Sequence, residues 1–268
     1  MADTFFNSFD GTKLFLNKEM PAGAHGVVVI VHGLCEHQGR YDYFAEKLHA
    51  AGLGTYRFDH RGHGKSDGEC AYLSDYNELL DDTNAVVDMA ISENPDLSVF
   101  VYGHSMGGFT VALWGAKYPG KRVAGVICNG GLTFDKGGFL TAVPQGLDPH
   151  QQLPNELGDG VCSVQEVKDW YLKDPLNRKS FAAGLAYELG RGIAWFADSV
   201  GAFAYPTLIT HGEKDGLISY EDSLALFDQV SSTDKQLKIY GVSLHETINE
   251  FCRDEVMADY IDWIERRA

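Results

Sequence analysis

Cysteine is scarce in this sequence, and nothing in it suggests a disulfide framework. The chain has five cysteines among 268 residues, and no two of them form a C-x-x-C pair. An odd number of scattered cysteines disfavours structural disulfides and favours a reducing compartment. The first residues also lack a basic stretch followed by a long apolar one, which is the pattern of a secretory signal. We therefore expect a cytoplasmic protein.

Long hydrophobic runs and basic residues are lacking too. The longest aliphatic run is Val27–Val31, which is far too short to cross a bilayer and suits a buried strand. The chain has 22 Lys and Arg against 38 Asp and Glu, which gives a formal net charge of −16. Such a charge repels nucleic acid and anionic lipid surfaces. We expect no nucleic-acid partner and no stable membrane insertion, and a small neutral substrate fits this charge best.

The sequence does contain a regular alternation of apolar strands and helical patterns. Alternating apolar residues on both sides of Asp10-Gly11 predict a hairpin over Phe5–Met20. Strands that alternate with helices imply right-handed crossovers and an α/β fold with a mostly parallel sheet. Six further strands are predicted, at Val27–Val31, Leu53–Phe58, Leu97–Tyr102, Val123–Cys128, Pro206–Thr210 and Gln236–Tyr240. Helices are predicted at Tyr41–Ala51, at Tyr76–Ile91 and at the end of the chain, where Met257, Tyr260, Ile261 and Ile264 share one face.

The segment Gly103–Gly107 reads G-H-S-M-G and fits the nucleophile-elbow pattern G-x-S-x-G. A predicted strand leads into it and a predicted helix follows, which is the context that makes this pattern specific. A serine hydroxyl is a weak nucleophile unless a sharp turn holds it beside a base. Glycines two residues before and two after the serine avoid the clashes that a Cβ atom would cause in such a turn. The pattern therefore predicts Ser105 as a nucleophile.

A serine nucleophile needs a histidine as base and a carboxylate that orients the histidine. Hydrolases of this architecture supply them in the order nucleophile, acid, histidine. Among ten histidines, His245 is the one that directly follows the last predicted strand, in a loop at the same sheet edge as the elbow. Asp215 follows the preceding strand and is the predicted acid, with Glu213 and Asp198 as competitors.

Ester or amide hydrolysis also requires two backbone N–H groups that bind the developing oxyanion. One is predicted to come from Met106, the residue after the nucleophile. The other is predicted to come from Leu34, in the loop after the first interior strand.

The stretch from residue 132 to residue 205 breaks the alternation of strands and helices. It contains Gly137-Gly138, several prolines and short apolar clusters, and a structureless loop of that length is improbable. We expect a helical cap inserted over the catalytic end of the sheet, with residues 1–131 and 206–268 forming the core. The alternative is a set of ordinary helices that flank the sheet.

Taken together, the chain resembles the α/β-hydrolases. More narrowly it is similar to the monoacylglycerol lipase and lysophospholipase-like group, which is labelled with the serine aminopeptidases (S33). This resemblance implies an eight-stranded, mainly parallel sheet flanked by helices, with a cap. It also implies hydrolysis of a small acyl ester through an acyl-serine intermediate, without a cofactor or metal. The segments that carry it are His32–Tyr41, Asp59–Gly68, Gly103–Gly108, Asp174–Leu176 and Leu237–Tyr240.

The resemblance further implies a small polar pocket for the head group of the substrate. Glu36, Arg40, His104 and Tyr171 stand at the matching positions. For Glu36 and Arg40 the alternative is a buried ion pair that braces the oxyanion loop, and for His104 it is packing beneath the elbow. The sequence departs from the family at Cys35, where glycine is common.

Two other functions stay open at this point. A peptidase or amidase with the same triad would need carboxylates that hold an amine, and the cap offers Glu156, Asp159, Glu166 and Glu188. A non-catalytic ligand-binding protein on a hydrolase scaffold is the second.

Asp59, His60 and His63 lack the spacing of a metal site. Exposed apolar surface on the cap would allow two copies of the chain to form a homodimer.

Overall fold

The computed structural model describes residues 4–156 and 160–268. The strands in these ranges are β1 (Phe5–Asn7), β2 (Lys13–Glu19), β3 (Gly26–Val31), β4 (Leu53–Phe58), β5 (Ser98–His104), β6 (Gly125–Asn129), β7 (Gln152–Pro154), β8 (Ser180–Ala182), β9 (Thr207–Gly212) and β10 (Lys235–Tyr240). The α-helices are α1 (Asp42–Ala50), α2 (Asn77–Glu93), α3 (Met106–Lys117), α4 (Gln165–Lys173), α5 (Ala183–Ser199), α6 (Glu221–Gln229) and α7 (Arg253–Glu265). Short 3₁₀ helices lie at Gln38–Tyr41, Phe139–Ala142, Val200–Ala202 and Thr247–Asn249.

Eight of these strands form one sheet, in the order β1-β2-β4-β3-β5-β6-β9-β10. The pairs β1–β2 and β2–β4 are antiparallel, whereas every later pair is parallel. This confirms the predicted α/β fold and its eight-stranded, mainly parallel sheet. The hairpin predicted at Asp10-Gly11 is confirmed, with Gly11 at φ +89°.

The central strands are buried and mostly apolar because helices cover both faces of the sheet. All six residues of β3, G-V-V-V-I-V, are buried. Helix α3 follows the elbow and has a buried run from Met106 to Ala116, as expected for a helix packed on several sides. Because parallel strands share one carboxyl edge, the loops after β3, β5, β9 and β10 meet there.

Between β6 and β9 the chain leaves the main sheet and builds the segment that was expected as a cap. It holds α4, α5 and a small antiparallel sheet of β7 and β8, and this sheet was not predicted. Helix α5 packs closely on α3, since a Cβ at Gly192 would lie 2.6 Å from Phe109 Cζ. The segment therefore combines a helix that packs on the core with a small sheet of its own.

Candidate active site

Ser105 lies on a sharp turn between β5 and α3. Its backbone is at φ 56° and ψ −117°, a strained conformation for a residue with a side chain. A Cβ at Gly103 would lie 2.1 Å from the carbonyl oxygen of Gly107, and a Cβ at Gly107 would lie 2.0 Å from that of Val31. These contacts are the physical reason for both glycines of the elbow.

Asp215 and His245 come together at the same edge of the sheet. The Nδ1 atom of His245 lies 2.6 Å from Oδ2 of Asp215, and both side chains are buried. The other carboxylate oxygen accepts the backbone N–H groups of Leu217 (2.8 Å) and Ile218 (2.9 Å). The competing acids Glu213 and Asp198 are exposed, so the geometry favours Asp215.

The electrostatics of this pair suit a general base. Burial lowers the pKa of His245, but the charge and hydrogen bond of Asp215 outweigh burial and raise that pKa above the usual 6.5. Burial raises the pKa of Asp215, but the charge of His245 and hydrogen bonds from His211 and His245 hold it well below 3.8. Asp215 is therefore ionised at neutral pH and orients the imidazole.

Ser105 and His245 line the same cavity. Since Asp215 engages Nδ1, Nε2 is the nitrogen of His245 that can serve the nucleophile. A hydrogen bond from the Ser105 hydroxyl to Nε2 is not among those of the described residues, and such contacts often tighten only when substrate binds. The apolar part of the cavity is lined by Leu132, Phe139, Val161, Leu189, Leu217 and Ile218.

The two predicted oxyanion donors line the same cavity. Met106 is the first residue of α3, and the first N–H groups of a helix have no carbonyl partner within it. Next to Leu34, the N–H of Gly33 donates to Glu36 Oε1 at 2.5 Å. Cys35 adopts φ 59°, a left-handed conformation that favours glycine.

Glu36 and Arg40 belong to a buried charge network. Arg40 donates to Glu36 at 2.6 Å and, through both Nη atoms, to Glu246 at 2.9 and 2.7 Å. Burial raises the pKa of Glu246, but the charge of Arg40 outweighs it and holds the pKa below its usual value. The network joins the oxyanion loop to the loop of His245. Sequence reasoning missed Glu246, and the one signal was a carboxylate directly after the predicted base.

His104 and Tyr171 also line the cavity. Burial and then the charge of His245 lower the pKa of His104 to about 3, so its ring is neutral, and Nδ1 contacts the side-chain amide of Asn129 at 3.0 Å. The hydroxyl of Tyr171 donates to the carbonyl of Cys35 at 3.2 Å. All four residues expected around the head group are therefore at the cavity, but they make strong contacts with the protein itself.

The histidines that follow β3 and β4 pack against one another. The rings of His32 and His60 are 4.4 Å apart, and Nε2 of His32 accepts the backbone N–H of His60 at 2.9 Å. Across residues 4–156 and 160–268, no group of three or more His, Cys, Asp or Glu is arranged to hold a metal ion. Over the same ranges, no helix is both long and apolar enough to cross a membrane.

Comparisons with known proteins place the chain in a family. A family model described as serine aminopeptidase, S33, matches residues 22–251. A monoacylglycerol lipase of Mycolicibacterium smegmatis is 38% identical over 246 residues, which cover 89% of this chain and 88% of that protein. A human monoglyceride lipase is 29% identical over 270 residues, which cover 97% of this chain and 89% of that protein.

Solved structures agree with the sequence comparisons. The crystal structure of a monoacylglycerol lipase from Paleococcus ferrophilus superimposes with a TM-score of 0.82 at 26% identity, covering 95% of this chain and 99% of that one. The predicted resemblance is thereby confirmed. The chain belongs to the serine aminopeptidase (S33) family of α/β-hydrolases.

Proposed function

We propose that this protein hydrolyses carboxylic esters of fatty acids, with monoacylglycerols as the leading substrates and lysolipids and similar small acyl esters as further candidates. The observation that carries this proposal is the buried pair of Asp215 and His245, 2.6 Å apart, in the cavity that contains Ser105. The relatives named monoacylglycerol lipase and monoglyceride lipase support the choice of substrate.

In the proposed mechanism, Ser105 attacks the ester carbonyl while Nε2 of His245 takes its proton. Asp215 holds Nδ1 and stabilises the imidazolium that forms. The backbone N–H groups of Leu34 and Met106 bind the oxyanion. The alcohol leaves with a proton from His245, an acyl-serine remains, and water repeats the sequence to release the fatty acid. No step of this mechanism needs a cofactor or a metal.

The cavity suggests how a substrate would lie. We place the acyl chain along the apolar wall that includes Leu132, Phe139 and Leu189, and the alcohol toward Glu36 and Arg40. Residues 132–205 would act as the cap, because Leu132, Phe139, Val161, Tyr171 and Leu189 of that segment line the cavity. A buried contact between His37 and Asp174, at 2.9 Å, ties this segment to the oxyanion loop.

We propose a cytoplasmic setting, since the cysteines are few and scattered. The strong negative charge favours a small substrate over nucleic acid or an anionic surface. A homodimer is compatible with this activity.

The test is a substrate panel on purified protein that crosses acyl length with head group. We expect turnover of p-nitrophenyl butyrate and of 1-monoacylglycerols, and no turnover by Ser105→Ala, which should unfold at the same temperature as the wild type. Fluorophosphonate should label the wild type and not the variant. Substantial hydrolysis by Ser105→Ala would contradict the assignment, and an unlabelled wild type would indicate a ligand-binding protein.

The same panel addresses amide hydrolysis. Within the described residues, the cap carboxylates Glu156, Glu166 and Glu188 do not line the cavity, and Asp159 lies outside those residues. The acids that line the cavity, Glu36 and Glu246, are paired with Arg40. We therefore expect an aminoacyl-p-nitroanilide to react far more slowly than the esters.

A further inference from the structure

His211 ends up beside the acid of the proposed triad. It lies in β9, four residues before Asp215, and its imidazole is fully buried. Its Nε2 atom lies 2.9 Å from Asp215 Oδ2 and 3.0 Å from the carbonyl oxygen of Ile218. An ionised carboxylate and a carbonyl can only accept hydrogen bonds. Nε2 of His211 therefore carries a proton, and this N–H donates a hydrogen bond to Asp215.

The other ring nitrogen has a partner that can supply a proton. Nδ1 of His211 lies 2.7 Å from the hydroxyl of Ser223, which is buried on α6. A neutral imidazole that is protonated at Nε2 accepts at Nδ1, and a serine hydroxyl can donate there. Because a hydroxyl can also accept, the two acceptors at Nε2 set this tautomer of His211, and the bond to Ser223 completes it.

The carboxylate of Asp215 is held at both oxygens. Oδ2 receives N–H groups from His245 at 2.6 Å and from His211 at 2.9 Å, while Oδ1 receives the backbone N–H groups of Leu217 and Ile218. Because four N–H groups donate to it, the carboxylate cannot rotate without losing at least one of these hydrogen bonds. His211 is not among the residues that line the cavity, so it reaches the site through Asp215 and through Ile218, whose carbonyl it contacts and whose N–H donates to the same carboxylate.

We propose that His211 is a positioning residue for the reaction, which holds the carboxylate of Asp215 in the orientation that His245 requires, while Ser223 holds the other nitrogen of its ring. This inference rests on the proposed function. It has an electrostatic consequence as well as a geometric one. The N–H of His211 compensates part of the charge of Asp215, so its removal leaves a stronger field at His245. The imidazolium of His245 is then more stable, and the acid limb of the pH–rate profile moves to higher pH.

Two substitutions separate this role from simple packing. In His211→Asn the amide reaches the position of Nδ1 only, so the donor to Asp215 is lost. In His211→Gln the amide nitrogen is as many bonds from the backbone as Nε2 and can still donate. We expect His211→Asn to lower kcat about tenfold to hundredfold, the usual weight of a hydrogen bond to a charged group. KM should change little, the acid limb should shift upward, and His211→Gln should restore most of both.

Ser223→Ala and Thr207→Val complete the series. Ser223→Ala removes the partner of Nδ1 and leaves the ring of His211 less firmly held, so we expect a smaller change in the same direction as His211→Asn. Thr207 lies at the other end of β9 and donates to the carbonyl of Val126 at 3.1 Å. Thr207→Val removes a buried hydrogen bond of the same strand away from the site, so it should lower the melting temperature without moving the pH profile.

The outcomes are distinguishable from failure of the proposed function. A wild type that neither hydrolyses p-nitrophenyl butyrate nor reacts with fluorophosphonate removes the proposed function, and the inference falls with it. If the wild type is active, either of two results overturns the inference alone. In the first, His211→Asn keeps both kcat and the acid limb of the pH–rate profile. In the second, His211→Asn and His211→Gln lose activity equally and the acid limb does not move. ¹⁵N NMR of the wild type needs no variant to fold: His211 protonated at Nε2 supports the inference, and protonation at Nδ1 alone overturns it.

Discussion

The side chain of Glu36 separates two roles, a brace for the oxyanion loop and a contact for the head group of the substrate. Its Oε1 atom accepts hydrogen bonds from the Gly33 N–H at 2.5 Å and the Tyr41 hydroxyl at 2.6 Å, and Oε2 accepts one from Arg40 at 2.6 Å. All three partners belong to the protein, which favours the brace. We predict that Glu36→Gln lowers kcat for every ester, whether or not the ester contains glycerol.

The size of the effect follows from the bonds that the amide changes. Gln keeps an oxygen for Gly33 and Tyr41 but turns an NH₂ group toward Arg40, so two donors face each other. Removing one partner of a buried ion pair costs about 3–5 kcal/mol. Since Arg40 keeps its two bonds to Glu246, we expect the lower end of that range. This lowers Tm by roughly 6–12 °C, and a misplaced oxyanion donor lowers kcat about 100-fold or more.

The assay compares p-nitrophenyl butyrate, which has no glycerol, with a 1-monoacylglycerol, and records Tm in parallel. Asp82→Asn is the matched control, because Asp82 is buried and accepts two hydrogen bonds from Arg61 at 2.8 Å. Asp82 does not line the cavity, so the control should lose stability and keep kcat. If Glu36→Gln raises only the KM for the monoacylglycerol and leaves p-nitrophenyl butyrate unaffected, Glu36 is a head-group contact and not a brace.

Acid should destabilise the protein, because burial lowers the pKa of His60 to about 3 and of His63 to about 4, against 6.5 for free histidine. The stability that these neutral, buried histidines give the folded protein is complete above the unfolded pKa and is lost as pH falls. We expect the free energy of unfolding to drop by about 2 kcal/mol for each histidine from about pH 7 to about pH 5. Urea midpoints that do not change over this range would contradict this prediction. Asp222 accepts four backbone N–H groups from residues 133–136, so Asp222→Ala should cost about 3 kcal/mol. It should also raise KM, because Leu132 of the cavity precedes that segment; unchanged thermal unfolding and KM would count against it.

Most of the sheet could be predicted because buried parallel strands are rich in apolar residues over their whole length. The strand predicted at Leu53–Phe58 has those bounds in the structure, and the one predicted at Val27–Val31 begins one residue earlier. The small sheet of β7 and β8 could not be predicted in the same way. Each strand has three residues, too few for a periodic pattern, and its pairing depends on how the whole segment folds.

The residues proposed for the reaction were also accessible from the sequence, since an elbow is a local structure. The spacing of Gly103, Ser105 and Gly107 follows from close contacts within a few residues of the turn and with the adjacent strand. Chain order then pointed to Asp215 and His245, because parallel strands present their following loops at one edge. The sequence could not choose between a brace and a head-group contact for Glu36 and Arg40.

Local patterns in the sequence are therefore enough to identify the α/β fold, the family and the side chains that the proposed chemistry needs. How those side chains are supported depends on the folded structure. Arg40 meets Glu246 across 206 positions of the chain, and His211 and His245 converge on one oxygen of Asp215. No local pattern encodes such contacts, because they exist only after separate strands have placed their loops at the same edge of the sheet.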